Sequence, residues 1–127
     1  MEKQLISSGS PWEPIVGYSR AVKAGNLIEV SGTTAVLNGV VQCPGDLYAQ
    51  TLRCLEIIEQ ALISAGSSMH DVIRTRIYVT DISRWEEAAN AHAQYFKEVR
   101  PATTMVEVSK LIDPDMLVEV EATAMLL

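Results

Sequence analysis

Residues 72–79 read Val72-Ile73-Arg74-Thr75-Arg76-Ile77-Tyr78-Val79. The run is rich in β-branched side chains and alternates strictly, so it predicts a strand. Thr75, Ile77 and Val79 share one face of it, and Arg74, Arg76 and Tyr78 share the other. One face suits a core and the other carries charge, which makes this strand the pivot of a sheet covered on one side.

Upstream, Pro44-Gly45-Asp46 opens a helix with Asp46 as N-cap. Tyr48, Leu52, Leu55, Ile58 or Glu59, and Leu62 recur at steps of three and four and read as its apolar stripe. Gly66 supplies the left-handed stop. Downstream, Ser83-Arg84-Trp85-Glu86 fits a capping box for a second helix. Trp85, Ala89, His92, Phe96 and Val99 read as its buried stripe, and Pro101 ends it.

Further out, residues 18–23 and Leu27 to Ser31 form a hairpin through Ala24-Gly25-Asn26. Asn38-Gly39 marks a turn within Val36 to Val41. Residues 1–17 read mostly as loop, with a short strand at Lys3 to Ser7. Thr103 to Val108 and Leu117 to Leu126 are the last two strands, joined through Asp113-Pro114-Asp115. The order β-β-β-α-β-α-β-β predicts an α+β two-layer sandwich: a mixed sheet with two helices on one face, over a single domain spanning 1–127. On the last strand Val118, Val120, Ala122 and Ala124 face the helices. Glu119 and Glu121 face away, and Met105 and Glu107 are assigned to that open face with Arg74, Arg76 and Tyr78. Such a face is either solvated, with cross-strand ion pairs, or the wall of an oligomer.

Composition narrows the functional classes. The chain has 127 residues, 48% hydrophobic and 20% charged, with a formal net charge of −6. That is globular and acidic, and the basic residues are scattered, which disfavours nucleic acid. No apolar run is long enough to span a bilayer, and the N-terminus lacks the pattern of a signal peptide, so a cytoplasmic protein is expected. Cys43 and Cys54 make no disulfide framework, and His70 and His92 form no metal-binding spacing. No metal and no cofactor are expected. Phosphate-loop and dinucleotide glycine patterns are missing.

Several residues have both a chemical and a structural reading. Glu119, mid-strand, is the best-placed general acid or base, against an ion pair with Arg74 or Arg76. Tyr18 is a ligand donor or a half-buried aromatic. His92 on the apolar stripe reads as a satisfied core histidine. Cys43 reads as a bystander and Cys54 as packing. The Asp113-Pro114-Asp115 turn has too few oxygens for a cation site.

The segments in order also resemble a known family. Gly17-Tyr18-Ser19-Arg20-Ala21-Val22 is similar to the GPYSQAV start of the reactive intermediate deaminase (Rid) family, also called YjgF or endoribonuclease L-PSP. The likeness continues through Val30-Ser31-Gly32, Ala49-Gln50-Thr51, Ala65-Gly66, Asp71-Val72-Ile73-Arg74-Thr75 and Tyr78-Val79-Thr80-Asp81. It ends with Arg100-Pro101-Ala102 and Val118-Glu119-Val120-Glu121-Ala122, and spans about Ser10 to Met125. The resemblance implies a chorismate-mutase-like fold and a homotrimer whose sheets line a barrel, with small-molecule clefts between subunits. Deaminating members hydrolyse imines and enamines derived from amino acids without a metal or organic cofactor. A family arginine grips the substrate carboxylate, a glutamate on the last strand orients water, and a tyrosine and backbone groups complete the cleft.

Carried over, the glutamate falls on Glu119, the tyrosine on Tyr18 and the backbone glycine on Gly32. The arginine falls on Thr103, and a cysteine two residues on falls on Met105. Losing a guanidinium at 103 forfeits a charge-assisted bond of roughly 1.5–3 kcal/mol. A substrate without the usual carboxylate is therefore expected, unless Arg100 or Arg76 substitutes. The two functional readings are a Rid-type imine or enamine hydrolase and a non-catalytic trimeric metabolite-binding module. Ribonuclease activity, suggested by one family label, sits poorly with an acidic chain.

Overall fold

Val72–Val79 forms the strand expected of it, one position from the edge of a six-stranded sheet in a computed structural model that describes residues 2–127. The elements run β1 (Lys3–Ile6), α1 (Trp12–Val16), β2 (Ala21–Ala24), β3 (Leu27–Thr33), β4 (Val36–Leu37), β5 (Val40–Val41), α2 (Leu47–Ser64), β6 (Val72–Val79), α3 (Trp85–Phe96), β7 (Ala102–Glu107) and β8 (Val118–Met125). The sheet order is β1-β2-β3-β8-β6-β7, and β4 pairs with β5 in a separate hairpin around Asn38-Gly39. All pairings in the large sheet are antiparallel except β6 with β7. That parallel pair requires a crossover, which α3 supplies. The α+β architecture, a mixed sheet with helices, is as expected.

The covered face is apolar by alternation. Ile28 and Val30 of β3, Ile77 and Val79 of β6, and Val118, Val120, Ala122 and Ala124 of β8 are all buried, against Cys54, Leu55, Ile58 and Leu62 of α2. Each such large side chain withdrawn from water contributes about 1.5–3 kcal/mol. Asp46 caps α2 by accepting from the Ala49 N–H at 3.0 Å, and Gly66 follows its end at φ +82°.

Five expectations need correction. The inward stripe of α2 is Leu47, Gln50, Thr51, Cys54, Leu55, Ile58, Ala61 and Leu62, whereas Tyr48 is exposed and Leu52 only half-buried. Leu55, Ile58 and Leu62 are buried as expected, and the rest of the inward stripe is held by small and polar residues rather than by Tyr48 and Leu52. Ser83 makes no capping box: Asp81 caps a short 3-10 turn at Ile82–Arg84, and α3 starts at Trp85 with no side-chain cap. A capping box does exist at Ser68 and Asp71, before β6. Trp85 is exposed, and α3 buries Ala88, Ala91 and Phe96, with His92, Tyr95 and Val99 half-buried. Residues 1–17 include the short helix α1, which ends at Gly17 in the left-handed region. Finally, Met105 and Glu107 do not share the face of Glu119. β7 pairs in parallel with β6, so Thr103, Met105 and Glu107 stand beside Thr75, Ile77 and Val79 on the helix side.

Candidate functional site

Three of the residues singled out in the sequence meet around a defect in the sheet. Between Val30 and Thr33, β3 has one residue more than the facing stretch of β8, from Ala122 to Val120. Ser31 and Gly32 together face the single residue Glu121, which breaks the regular ladder there. The Glu119 carboxylate lies directly over Gly32: a Cβ there would come within 2.6 Å of Oε2 and 3.0 Å of Cδ. Only glycine leaves that space, and the constraint is close approach rather than an unusual φ.

α1 brings Tyr18 to the same place. The N–H groups of Gly17 and Tyr18 both donate to the Glu13 carbonyl, at 2.8 and 3.0 Å. The Glu13 carboxylate is buried and accepts from the Ser8 N–H and hydroxyl, which anchors α1. The other wall comes from the loop before β8. Gln50 of α2 donates to the Asp115 carbonyl at 2.8 Å and accepts from the Leu117 N–H at 2.9 Å, fixing that loop. The open cleft between them measures about 530 Å³ and is lined by Tyr18, Arg20, Ser31, Gly32, Glu119 and Glu121, with Trp12, Val16, Leu111, Ile112 and Met116 among its apolar wall. Apolar walls with a few convergent polar groups suit a small ligand.

Glu119 is left free in this cavity. Arg76 lies 3.7 Å from Glu121, and Tyr78 donates to Glu121 at 2.8 Å, while Arg74 donates to Thr104. The ion pair considered for Glu119 belongs to its neighbour on the strand. Among the described residues the Glu119 carboxylate has no hydrogen-bond donor. Burial pushes its pKa up; the Arg20 charge opposes this and the Glu121 charge reinforces it, for a net rise. A carboxylic acid so tuned exchanges protons nearer neutral pH than an exposed one.

Thr103, Met105 and Arg100 are elsewhere. Thr103 is two strands from β8, on the helix side. Its hydroxyl donates to the Pro101 carbonyl at 3.1 Å and lies 2.8 Å from the Thr75 hydroxyl, which lies 2.9 Å from His92 Nε2. All three contacts are satisfied together when Thr103 donates to Pro101, Thr75 to Thr103 and His92 Nε2–H to Thr75. Met105 packs against the core. Arg100 is exposed at φ +56°, where its N–H closes α3 on the Phe96 carbonyl. In a single chain these residues do not share the cavity of Glu119.

The residue missed from the sequence is Arg20, whose side chain is buried in the cavity wall. It occupies the glutamine position of the GPYSQAV-like segment, two residues after Tyr18. Among the described residues no three His, Cys, Asp or Glu side chains are grouped to hold a metal ion, and no helix is long and apolar enough to cross a membrane. Cys43 and Cys54 are both unpaired; burial raises the pKa of Cys54, which suits packing rather than reactivity.

Bulged strand, covered sheet and cavity together match one class of protein. The profile of the family described as Endoribonuclease L-PSP matches residues 9–126. The chain belongs to that family, known equally as YjgF or Rid. A crystal structure of a YjgF-family protein from Mycobacterium tuberculosis is 51% identical, covering 98% of this chain and 100% of that one, with a TM-score of 0.90. A RutC family protein from Pyrococcus abyssi is 36% identical over 127 residues, 98% of each chain. The 3-aminoacrylate deaminase RutC of Acinetobacter baylyi is 36% identical over 125 residues, again 98% of each chain.

Proposed function

We propose that this protein is a Rid-type hydrolase that converts a small reactive imine or enamine to a carbonyl compound and ammonia, in the cavity of Glu119. The observation that carries this is the Glu119 carboxylate itself: half-buried, without a donor among the described residues, raised in pKa, and held over Gly32 at the cavity wall. Family membership and the deaminase named among its relatives support the same chemistry.

In the proposed reaction Glu119 accepts a proton from water as the water oxygen adds to the carbon of C=N. The π electrons move to nitrogen, which takes that proton from Glu119. Glu119 then takes the hydroxyl proton of the carbinolamine and passes it to the amine nitrogen as the C–N bond breaks, so the carbonyl forms, ammonia leaves and Glu119 ends ionised as it began. An enamine enters the same sequence after protonation at carbon. Tyr18 and the backbone at Gly32 are polar contacts for the substrate. No step calls on a metal or organic cofactor.

The working unit in this reading is a cytoplasmic homotrimer of single-domain chains, with the clefts between copies. The exposed apolar side chains beside the cavity, Ile15, Val16 and Ile112, suit contact with a second copy. Thr103, Met105 and Arg100 would then reach a cleft only from a neighbouring chain. Thr103 cannot form a bidentate pair with a carboxylate, so the substrate is not gripped there as in the related deaminases.

The test is ammonia release from freshly generated 2-iminobutanoate, 2-aminoacrylate and 3-aminoacrylate. Glu119→Gln is expected to lower turnover about 10²–10⁴-fold with assembly and circular dichroism unchanged. Undiminished turnover in that variant overturns the assignment. Ligand binding without turnover in the wild type makes the protein a metabolite-binding module instead.

A further inference from the structure

Among the described residues, seven polar or charged side chains are buried: Glu13, Arg20, Thr33, Gln50, Thr51, Thr75 and Thr123. Six have their hydrogen bonds within the fold. Thr33 donates to the Ser31 carbonyl, Thr51 to Leu47, and Thr123 to the Glu29 carboxylate, while Glu13, Gln50 and Thr75 are bonded as described above. Arg20 differs. It is only 9% exposed, yet its Nε has no acceptor and no carboxylate forms an ion pair with it among the described residues. Its one protein hydrogen bond runs from Nη2 to the Gly32 carbonyl, at 2.7 Å, and its guanidinium carbon lies 5.7 Å from the Tyr18 ring centroid.

The Glu119 charge acts on Arg20 only through space and forms no ion pair with it; a buried cation so placed is stabilised by an anion bonded directly to it. Arg20 borders three cavities, and only one of them also holds Glu119, Tyr18 and Gly32. Its guanidinium is bonded to the backbone of residue 32, and the Glu119 carboxylate lies over that residue's Cα. Cation and carboxylate thus flank a single residue, a spacing for a small molecule with an anionic group close to its reacting carbon.

We infer that Arg20 is the anion anchor of this site, and that the substrate is a small carboxylate whose acid group Arg20 binds from the position just before β2. The inference rests on the function proposed above for the identity of the reacting group. It replaces the carboxylate-free substrate expected from Thr103 alone. The lost guanidinium on β7 is compensated by one on the other side of the bulge, in the chain that carries Glu119. A guanidinium fork suits the purpose because it offers a carboxylate two parallel N–H groups while another N–H stays on Gly32.

Binding tests this separately from turnover. The probes are 2-oxobutanoate, the keto acid released from 2-iminobutanoate, and the neutral ketone 2-butanone, titrated calorimetrically into the assembled protein. The wild type is expected to bind the keto acid at least tenfold more tightly than the ketone. Arg20→Gln is expected to weaken keto-acid binding about ten- to a hundredfold and leave the ketone unchanged. Arg20→Lys, which keeps charge without the fork, should fall between and serves if the glutamine variant does not fold. Equal loss for both probes would make Arg20 a structural brace of Gly32 and overturn the inference. So would a wild type that does not distinguish them. Glu119→Gln should retain keto-acid binding, so a failure of the proposed hydrolysis shows in ammonia release and leaves the Arg20 result to be read by itself.

Discussion

Two polar clusters interrupt the apolar sheet, and they are built on opposite terms. At β6 and β7, His92, Thr75 and Thr103 form a chain that ends on the Pro101 carbonyl, with a partner for each of its side-chain groups. At the β3 bulge, Glu119 has no donor, and Arg20 has a buried nitrogen with no acceptor, among the described residues. The first cluster has met its hydrogen-bonding demands inside the fold and reads as structure. The second has left them open beside a cavity and reads as a site. Family correspondence alone would have ranked Thr103 with Glu119; hydrogen bonding separates them.

The strongest way to break that contrast, after the Glu119 and Arg20 variants above, is Gly32→Ala. The added methyl would come within 2.6 Å of Glu119 Oε2, so the carboxylate must swing aside. The atom displaced is the end of a flexible side chain, and the expected thermal midpoint is close to that of the wild type. Turnover is expected to fall about ten- to a hundredfold, because the reacting group leaves its position. Full ammonia release from a folded Gly32→Ala protein would mean that the placement of Glu119 over residue 32 does not matter.

Thr75→Val probes the other cluster with nearly the same side-chain shape. It leaves the half-buried His92 Nε2–H without its acceptor and takes the donor from Thr103. The expected cost is about 1–3 kcal/mol in denaturant unfolding, with turnover per folded molecule unchanged. Lost turnover in a stable variant would mean that the threonine chain conducts protons, and the contrast between the clusters would fail.

How much of this could be read in advance follows from what sets each feature. β6 and β8 were legible because their alternation and their burial have one cause, a sheet covered on one side. α2 was legible in extent and, through Leu55, Ile58 and Leu62, in part of its inward face. Gln50 and Thr51 are buried there because they bond to the loop before β8 and to Leu47, and hydropathy does not register such bonds. The side of β7 could not be read, since it depends on the parallel register with β6 rather than on β7's own residues. Glu119 and Tyr18 were singled out by their strand positions and Gly32 through resemblance, and the three line one cavity. Arg20 was not legible, because a lone arginine just before a strand ordinarily reads as a solvated charge and its burial is set by the tertiary fold.

The smallest effects concern pH, and their signs should be opposite in the two clusters. Burial lowers the His92 pKa below its usual 6.5. The unfolded chain therefore binds that proton more readily. The resulting stability is fully present above pH 6.5 and is lost as pH falls through the lower folded value. Glu119 behaves inversely. Its folded pKa lies above 4.5, so its contribution is present below that value and is lost as pH rises through the folded one. At neutral pH His92 sits in its favoured neutral form, while Glu119 is held ionised at a cost. Glu119→Gln should therefore unfold at a higher temperature than the wild type near pH 7, with the advantage vanishing toward pH 4. His92→Gln should flatten the loss of stability below pH 6.5. Thermal unfolding of the three proteins across that range measures both. A Glu119→Gln protein with no advantage at neutral pH would mean that the ionised carboxylate is already well solvated, and the cavity would lose its claim to be tuned for proton transfer.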